Sequence, residues 1–121
     1  MRYMFLIYSQ ETPDGLPPEE VEPVRAAHWA VMQEAAGKQV LCAADALQPT
    51  SSATTVRTGN GRALTLDGPF AETKEQLAGY YILDCRNLDE AIEWAKKIPT
   101  ACKGRQGCIE IRPIRELSIR P

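Results

Sequence analysis

Two segments with helical spacing, separated by four strand-like runs and bracketed by one more at each end, constrain this chain more than any other feature of its sequence. Residues 2–8, RYMFLIY, are almost continuously apolar, the pattern of a central strand covered on both faces. A loop over 9–19 follows. Thr12-Pro13-Asp14-Gly15 has turn chemistry, and Pro17-Pro18 forbids regular strand pairing. The spacing of Val24, Ala27, Val31 and Ala35 predicts a helix over 20–36 with one buried stripe. Pro23 is admissible only in its first turn, and Gly37 is a natural stop.

Strands are predicted at 39–46, 53–57, 62–66 and 78–85. Between the second and third of these, Asn60-Gly61 tolerates positive φ and gives the clearest hairpin signal in the chain. Asp67-Gly68-Pro69-Phe70 breaks the strand that follows, and one helical turn is expected near 71–76. Asn87 and Glu90 form a capping-box pair, Leu88, Ala91, Ile92, Ala95 and Ile98 supply a helical stripe, and Pro99 ends it. The last strand, 108–114, turns Ile109 and Ile111 one way and Glu110 and Arg112 the other. Its Pro113 points to an edge or a strand end. With the 53–66 hairpin set aside as an insertion, the order becomes β-α-β-β-α-β. That is an α+β, ferredoxin-like sheet with two helices on one face.

Composition excludes several classes. The 121 residues suit one domain, and 14 basic against 16 acidic residues leave a net charge of −2, without the basic excess of a nucleic-acid binder. No apolar run approaches the roughly 20 residues of a membrane helix, and residues 3–8 have no signal-peptide flanks. The expected location is the cytoplasm, with Cys42, Cys85, Cys102 and Cys108 as reduced thiols. Their spacing fits no zinc pattern, and the single His removes imidazole clusters, so neither metal nor cofactor is expected.

The tetrad at 67–70 has two readings. Asp67 can bond nearby amides while Gly68 and Pro69 shape a turn; alternatively, the Asp67 carboxylate at a sheet end orients a His or binds a substrate hydroxyl. His28 lies one helical turn after Val24, either as a core histidine or as the partner of such a carboxylate. Arg25 and Arg57 are candidates to meet an anion, or are solvated. Tyr80 and Tyr81 point to opposite faces, one into the core and the other toward a cavity or a dimer surface. Packing on the helices accounts for Trp29 and Trp94, and a turn-capping role for Thr73.

The run DGPFAETKEQLAGYY at 67–81 resembles the signature of the DGPF-domain family within the YCII-related superfamily. Supporting stretches are RYMFLIY near the start, ALQPTSSATTVR at 46–57, LDEAIEWAKKIP at 88–99 and IEIRPI at 109–114. The resemblance implies a dimeric α/β-barrel arrangement of ferredoxin-like subunits, with their sheets packed face to face. It implies genes beside extracytoplasmic-function sigma factors for many members, and a relative resembling a dehydrochlorinase acting on a chlorinated hydroxyquinol. In YCII-related proteins a His and an Asp share a cleft. Here Asp67 matches that Asp, and Arg25-Ala26-Ala27-His28 resembles the Arg-x-x-His of the first helix.

Two function classes follow. One is a cytoplasmic homodimer binding a small ligand or a partner, with Arg25, Arg57, Phe70, Tyr80 and Tyr81 as the ligand-contacting candidates and no direct contact with nucleic acid or membrane. The other is a small-molecule lyase using His28 and Asp67 as an acid/base pair. The dimer has a physical motive besides the resemblance. Helices cover one sheet face, and the other, carrying part of 3–8, Leu64, Leu66 and one of the two tyrosines, would be an exposed apolar patch.

Overall fold

A computed structural model describes residues 1–12, 15–100 and 106–118; Pro13, Asp14 and Cys102 lie outside the described residues. Along the chain come β1 (Arg2–Ser9), α1 (Pro18–Gly37), β2 (Leu41–Ala46), β3 (Thr54–Gly59), β4 (Arg62–Asp67), β5 (Gln76–Asp84), α2 (Leu88–Ala95) and β6 (Gly107–Pro113). Four strands form one antiparallel sheet in the order β2-β5-β1-β6. The β3–β4 hairpin is a separate two-stranded sheet between β2 and β5 in sequence. The architecture is α+β and consistent with a ferredoxin-like fold, with that hairpin inserted.

Strand alternation decides what is buried. Tyr3, Phe5 and Ile7 of β1 point to the helices, as do Tyr81 and Leu83 of β5. They close one core with Val31 and Ala35 of α1 and Ala91 and Trp94 of α2. Phe5 and Leu83 are wholly enclosed. Burial of each such side chain contributes roughly 1.5–3 kcal/mol. The intervening residues Met4, Leu6, Tyr8, Tyr80 and Ile82 point to the opposite face and are only half-buried. The expectation that β1 is covered on both faces therefore fails within one chain: both helices lie on the same side.

Several element boundaries differ from the sequence expectation for identifiable reasons. Helix α1 starts two residues early, because a proline is tolerated at the first helical position, where its missing N–H has no helical acceptor. That shift leaves Pro23 in the second turn, not the first. Pro23 and Glu19 are both exposed, so water can satisfy the Glu19 carbonyl that the proline leaves unpaired. Ala27 is exposed, and the inward stripe runs instead through Val24, His28, Val31 and Ala35. Gly37 is the last helical residue, and the left-handed turn falls at Gln39, with φ 61°. Val40 then donates its N–H to the Ala35 carbonyl at 3.0 Å.

Helix α2 is capped as expected at one end of the pair: Asn87 Oδ1 accepts the Glu90 N–H at 2.9 Å. The Glu90 carboxylate does not return to Asn87. It takes the Arg86 guanidinium at 2.6 Å and the Arg86 N–H at 3.3 Å, a stronger charge-assisted set. The regular helix stops at Ala95, before Ile98 and Pro99. No helical turn forms over 71–76; β5 instead begins at Gln76. Thr73 Oγ1 donates to the Glu75 carbonyl at 2.6 Å, so it closes a bend and caps no helix. A 3-10 turn at Thr50–Ser52 lies between the strands predicted at 39–46 and 53–57.

The hairpin turn itself is as expected. Asn60 (φ 50°) and Gly61 (φ 74°) both sit in the left-handed region between the paired residues Gly59 and Arg62. Gly68 ends β4 with φ 93°, a backbone that a side chain rarely adopts, and its N–H donates to the Ala53 carbonyl at 2.7 Å. Gly68→Ala is accordingly expected to cost about 1 kcal/mol or more. Urea unfolding measures it; a midpoint equal to wild type would contradict the strained turn.

Candidate functional site

The structure distributes the candidate residues over three places. The first lies under α1. His28 Nδ1 is 2.9 Å from the Tyr81 hydroxyl, which also lies 3.3 Å from the His28 carbonyl oxygen. Both contacts are made at once when Nδ1–H donates to the phenol oxygen and the phenol O–H donates to the carbonyl. In that arrangement Nε2 keeps its lone pair. Tyr81 is the inward tyrosine, opposite Phe5 on β1, and burial pushes its pKa up to about 12. Burial also holds the His28 imidazole below its ordinary 6.5.

The lowered imidazole pKa fixes the sign of a pH effect. In the unfolded chain His28 binds its proton at the ordinary value, so just below it the unfolded state carries more protons than the folded one. The contribution to stability is complete above pH 6.5 and is lost progressively as the pH falls toward the lower folded value. Urea midpoints taken from about pH 7.5 down to about pH 5 should decline less in His28→Gln than in wild type. An identical decline in both proteins would contradict the buried neutral imidazole.

The second place is the open sheet face. Tyr80 is the outward tyrosine, paired across from Leu6 on β1 and Asp45 on β2. Its hydroxyl donates to Asp45 Oδ2 at 2.6 Å, and this hydrogen bond, with the carboxylate charge, raises the phenol pKa. Met4, Leu6 and Ile82 lie around the pair, with Glu110 and Arg112 along β6. Asp45 was not singled out from sequence. Its only signal is the strand alternation that turns it to the same side as Tyr80, 35 residues away.

The third place is the base of the hairpin. Asp67 pairs with Thr54 and is exposed. Thr55 Oγ1 donates to the Gly68 carbonyl at 2.8 Å, and Arg57 Nη2 donates to the Phe70 carbonyl at 3.1 Å. Pro69 is exposed and Phe70 presents 74% of its surface. These bonds support the turn reading of the tetrad. Among the described residues no hydrogen bond or ion pair joins Asp67 to His28, whose side chain bonds Tyr81 instead. Arg25 is exposed and pairs with Glu22 at 3.0 Å, not with His28. Leu64 and Leu66, expected on the open sheet face, lie instead on the separate hairpin.

A fourth feature, a cleft of about 330 Å³, lies beside α2 and is distant in kind from these groups. The Lys38 and Lys97 ammoniums stand 5.5 and 4.7 Å from the centre of the buried Trp94 ring. Lys97 is paired with Glu34 at 2.7 Å and Arg86 with Glu90 at 2.6 Å, so the charges satisfy one another and cover the indole. Packing thus accounts for Trp94. Trp29 differs: it is 58% exposed and turned away from the core. Among the described residues no group of three or more His, Cys, Asp or Glu side chains is placed to hold a metal ion. No described helix is long and apolar enough to cross a membrane.

An antiparallel four-stranded sheet, helices on one face and a polar pair on the other, defines a small α+β protein with a candidate site on the uncovered side. The YCII-related domain family matches residues 1–118. An uncharacterised protein of Rhizobium meliloti (strain 1021) is 38% identical over 115 residues, covering 94% of this chain and 92% of that relative. The chain belongs to the YCII-related family.

Proposed function

We propose that this is a DGPF-type member of the family, a cytoplasmic homodimer that binds a small organic ligand between two facing sheets. The observation that carries the reading is the half-buried apolar strip of Met4, Leu6, Tyr80 and Ile82 over which the single chain lays no layer. A two-fold partner removes that strip from water. Tyr80 and Asp45 then supply a phenol and a carboxylate inside an otherwise apolar chamber, a combination that orients a ligand hydroxyl or amine. Native mass spectrometry of the protein purified from cells tests it. The expected result is a dimer with a small bound mass. In Tyr80→Phe with Asp45→Asn the dimer should persist while occupancy falls at least about tenfold. A wild-type dimer without bound mass, and without a thermal shift in a broad metabolite screen, would contradict the ligand.

The His28–Tyr81 contact favours a second reading, a lyase or dehydrochlorinase-like enzyme. A neutral imidazole with Nδ1–H engaged presents Nε2 as a general base. In this reading Tyr81, rather than Asp67, holds the ring within the chain. Turnover of a screened substrate that disappears in a folded His28→Ala variant supports it. A role beside an extracytoplasmic-function sigma factor rests on the resemblance alone, and co-purification with that factor tests it.

A further inference from the structure

The β3–β4 hairpin is built as if something lies against it. It shares no hydrogen-bonded strand with the main sheet, and every residue in it except Thr55 is exposed. An isolated two-stranded hairpin is at best marginally stable in water. Cross-strand pairing makes this one amphipathic. Thr55 faces Leu66, Arg57 faces Leu64 and Gly59 faces Arg62 on one side, while Thr54, Thr58, Thr65 and Asp67 line the other with Val56 and Ala63. Leu64 is 58% and Leu66 41% exposed.

The root of the hairpin is tied to the body of the chain by hydrogen bonds. The Glu11 carboxylate accepts the Thr50 N–H at 2.9 Å and the Thr50 hydroxyl at 2.6 Å. Leu47 donates its N–H to the Ala78 carbonyl at 2.8 Å, and Gly68 closes the far side on Ala53. A ribbon tied at its base, with two exposed leucines and two arginines on one face, has the make-up of an arm. Among the described residues the open sheet face complements it: its apolar strip carries the carboxylates of Asp45 and Glu110, with Arg112 beside Glu110, where Leu64 and Leu66 are flanked by Arg57 and Arg62.

We infer that the β3–β4 hairpin is an inter-subunit arm, which lays its Leu64–Leu66 face on the rim of a second copy's open sheet. Each copy's hairpin then closes the shared chamber on the other copy's side, and Arg57 reaches the Tyr80–Asp45 pair of the partner rather than its own. The inference rests on the dimer reading above, and two-fold symmetry makes the exchange reciprocal.

Hydrogen exchange on the full chain tests it, with mass measured in parallel by light scattering. In a dimeric wild type, hairpin amides at Val56–Thr58 and Ala63–Thr65 should exchange at least about tenfold more slowly than in the monomeric Ile82→Asp variant. Leu64→Ser with Leu66→Ser should weaken the dimer at least about tenfold. Because both leucines are exposed in the single chain, the circular dichroism spectrum should not change. A wild-type dimer whose hairpin exchanges as fast as that of Ile82→Asp overturns the arm and leaves the dimer standing. A double serine variant that dimerises like wild type does the same. A monomeric wild type overturns both.

Discussion

Phe5→Ala is expected to cost about 3–5 kcal/mol of folding stability. Phe5 has no exposed surface and sits on the central strand, between Tyr81 of β5 and Ile111 of β6, beneath both helices. Truncation removes the transfer free energy of the ring and leaves a cavity that two flanking strands and two helices cannot all collapse into. Urea unfolding followed by circular dichroism measures the loss. A change under about 1 kcal/mol would mean that the helices do not close over β1 as described.

Ile82→Asp is expected to convert the protein to a folded monomer. Ile82 faces away from the helices, beside Met4, so in the single chain an aspartate there remains in contact with water. In a face-to-face dimer each copy would bury an unpaired carboxylate, at a cost of about 3 kcal/mol or more. The two-fold doubles that cost, which raises the dissociation constant by well over a hundredfold. The contrast with Phe5 is instructive: the two side chains occupy opposite faces of one sheet, so one change should unfold the subunit and the other should separate it from its partner.

The features that were legible in the sequence are those whose physics is local. Asn60-Gly61 specifies its turn through φ alone, and Asn87 caps α2 through a bond to a residue three positions away. Strand alternation correctly separated Tyr80 from Tyr81 and Ile109 from Glu110. The errors arose where a local signal had more than one outlet. Pro17-Pro18 reads as a break but also starts a helix, and the polar run 71–76 had no apolar stripe to pin a turn against the core. The site was harder still. His28 and Tyr81 meet across 53 residues, and Asp45 and Tyr80 across 35, through sheet register that no spacing rule supplies. The tetrad at 67–70 was conspicuous in sequence, yet in the chain its bonds tie it to β3 at the base of the hairpin.

That a second copy covers the open sheet face is tested most directly by sedimentation equilibrium of the wild-type chain beside Ile82→Asp. At micromolar concentration the wild type should have twice the 13.4 kDa chain mass, and Ile82→Asp the chain mass itself with an unchanged circular dichroism spectrum. A wild type that sediments as a single chain, or an Ile82→Asp variant that stays dimeric, would contradict it.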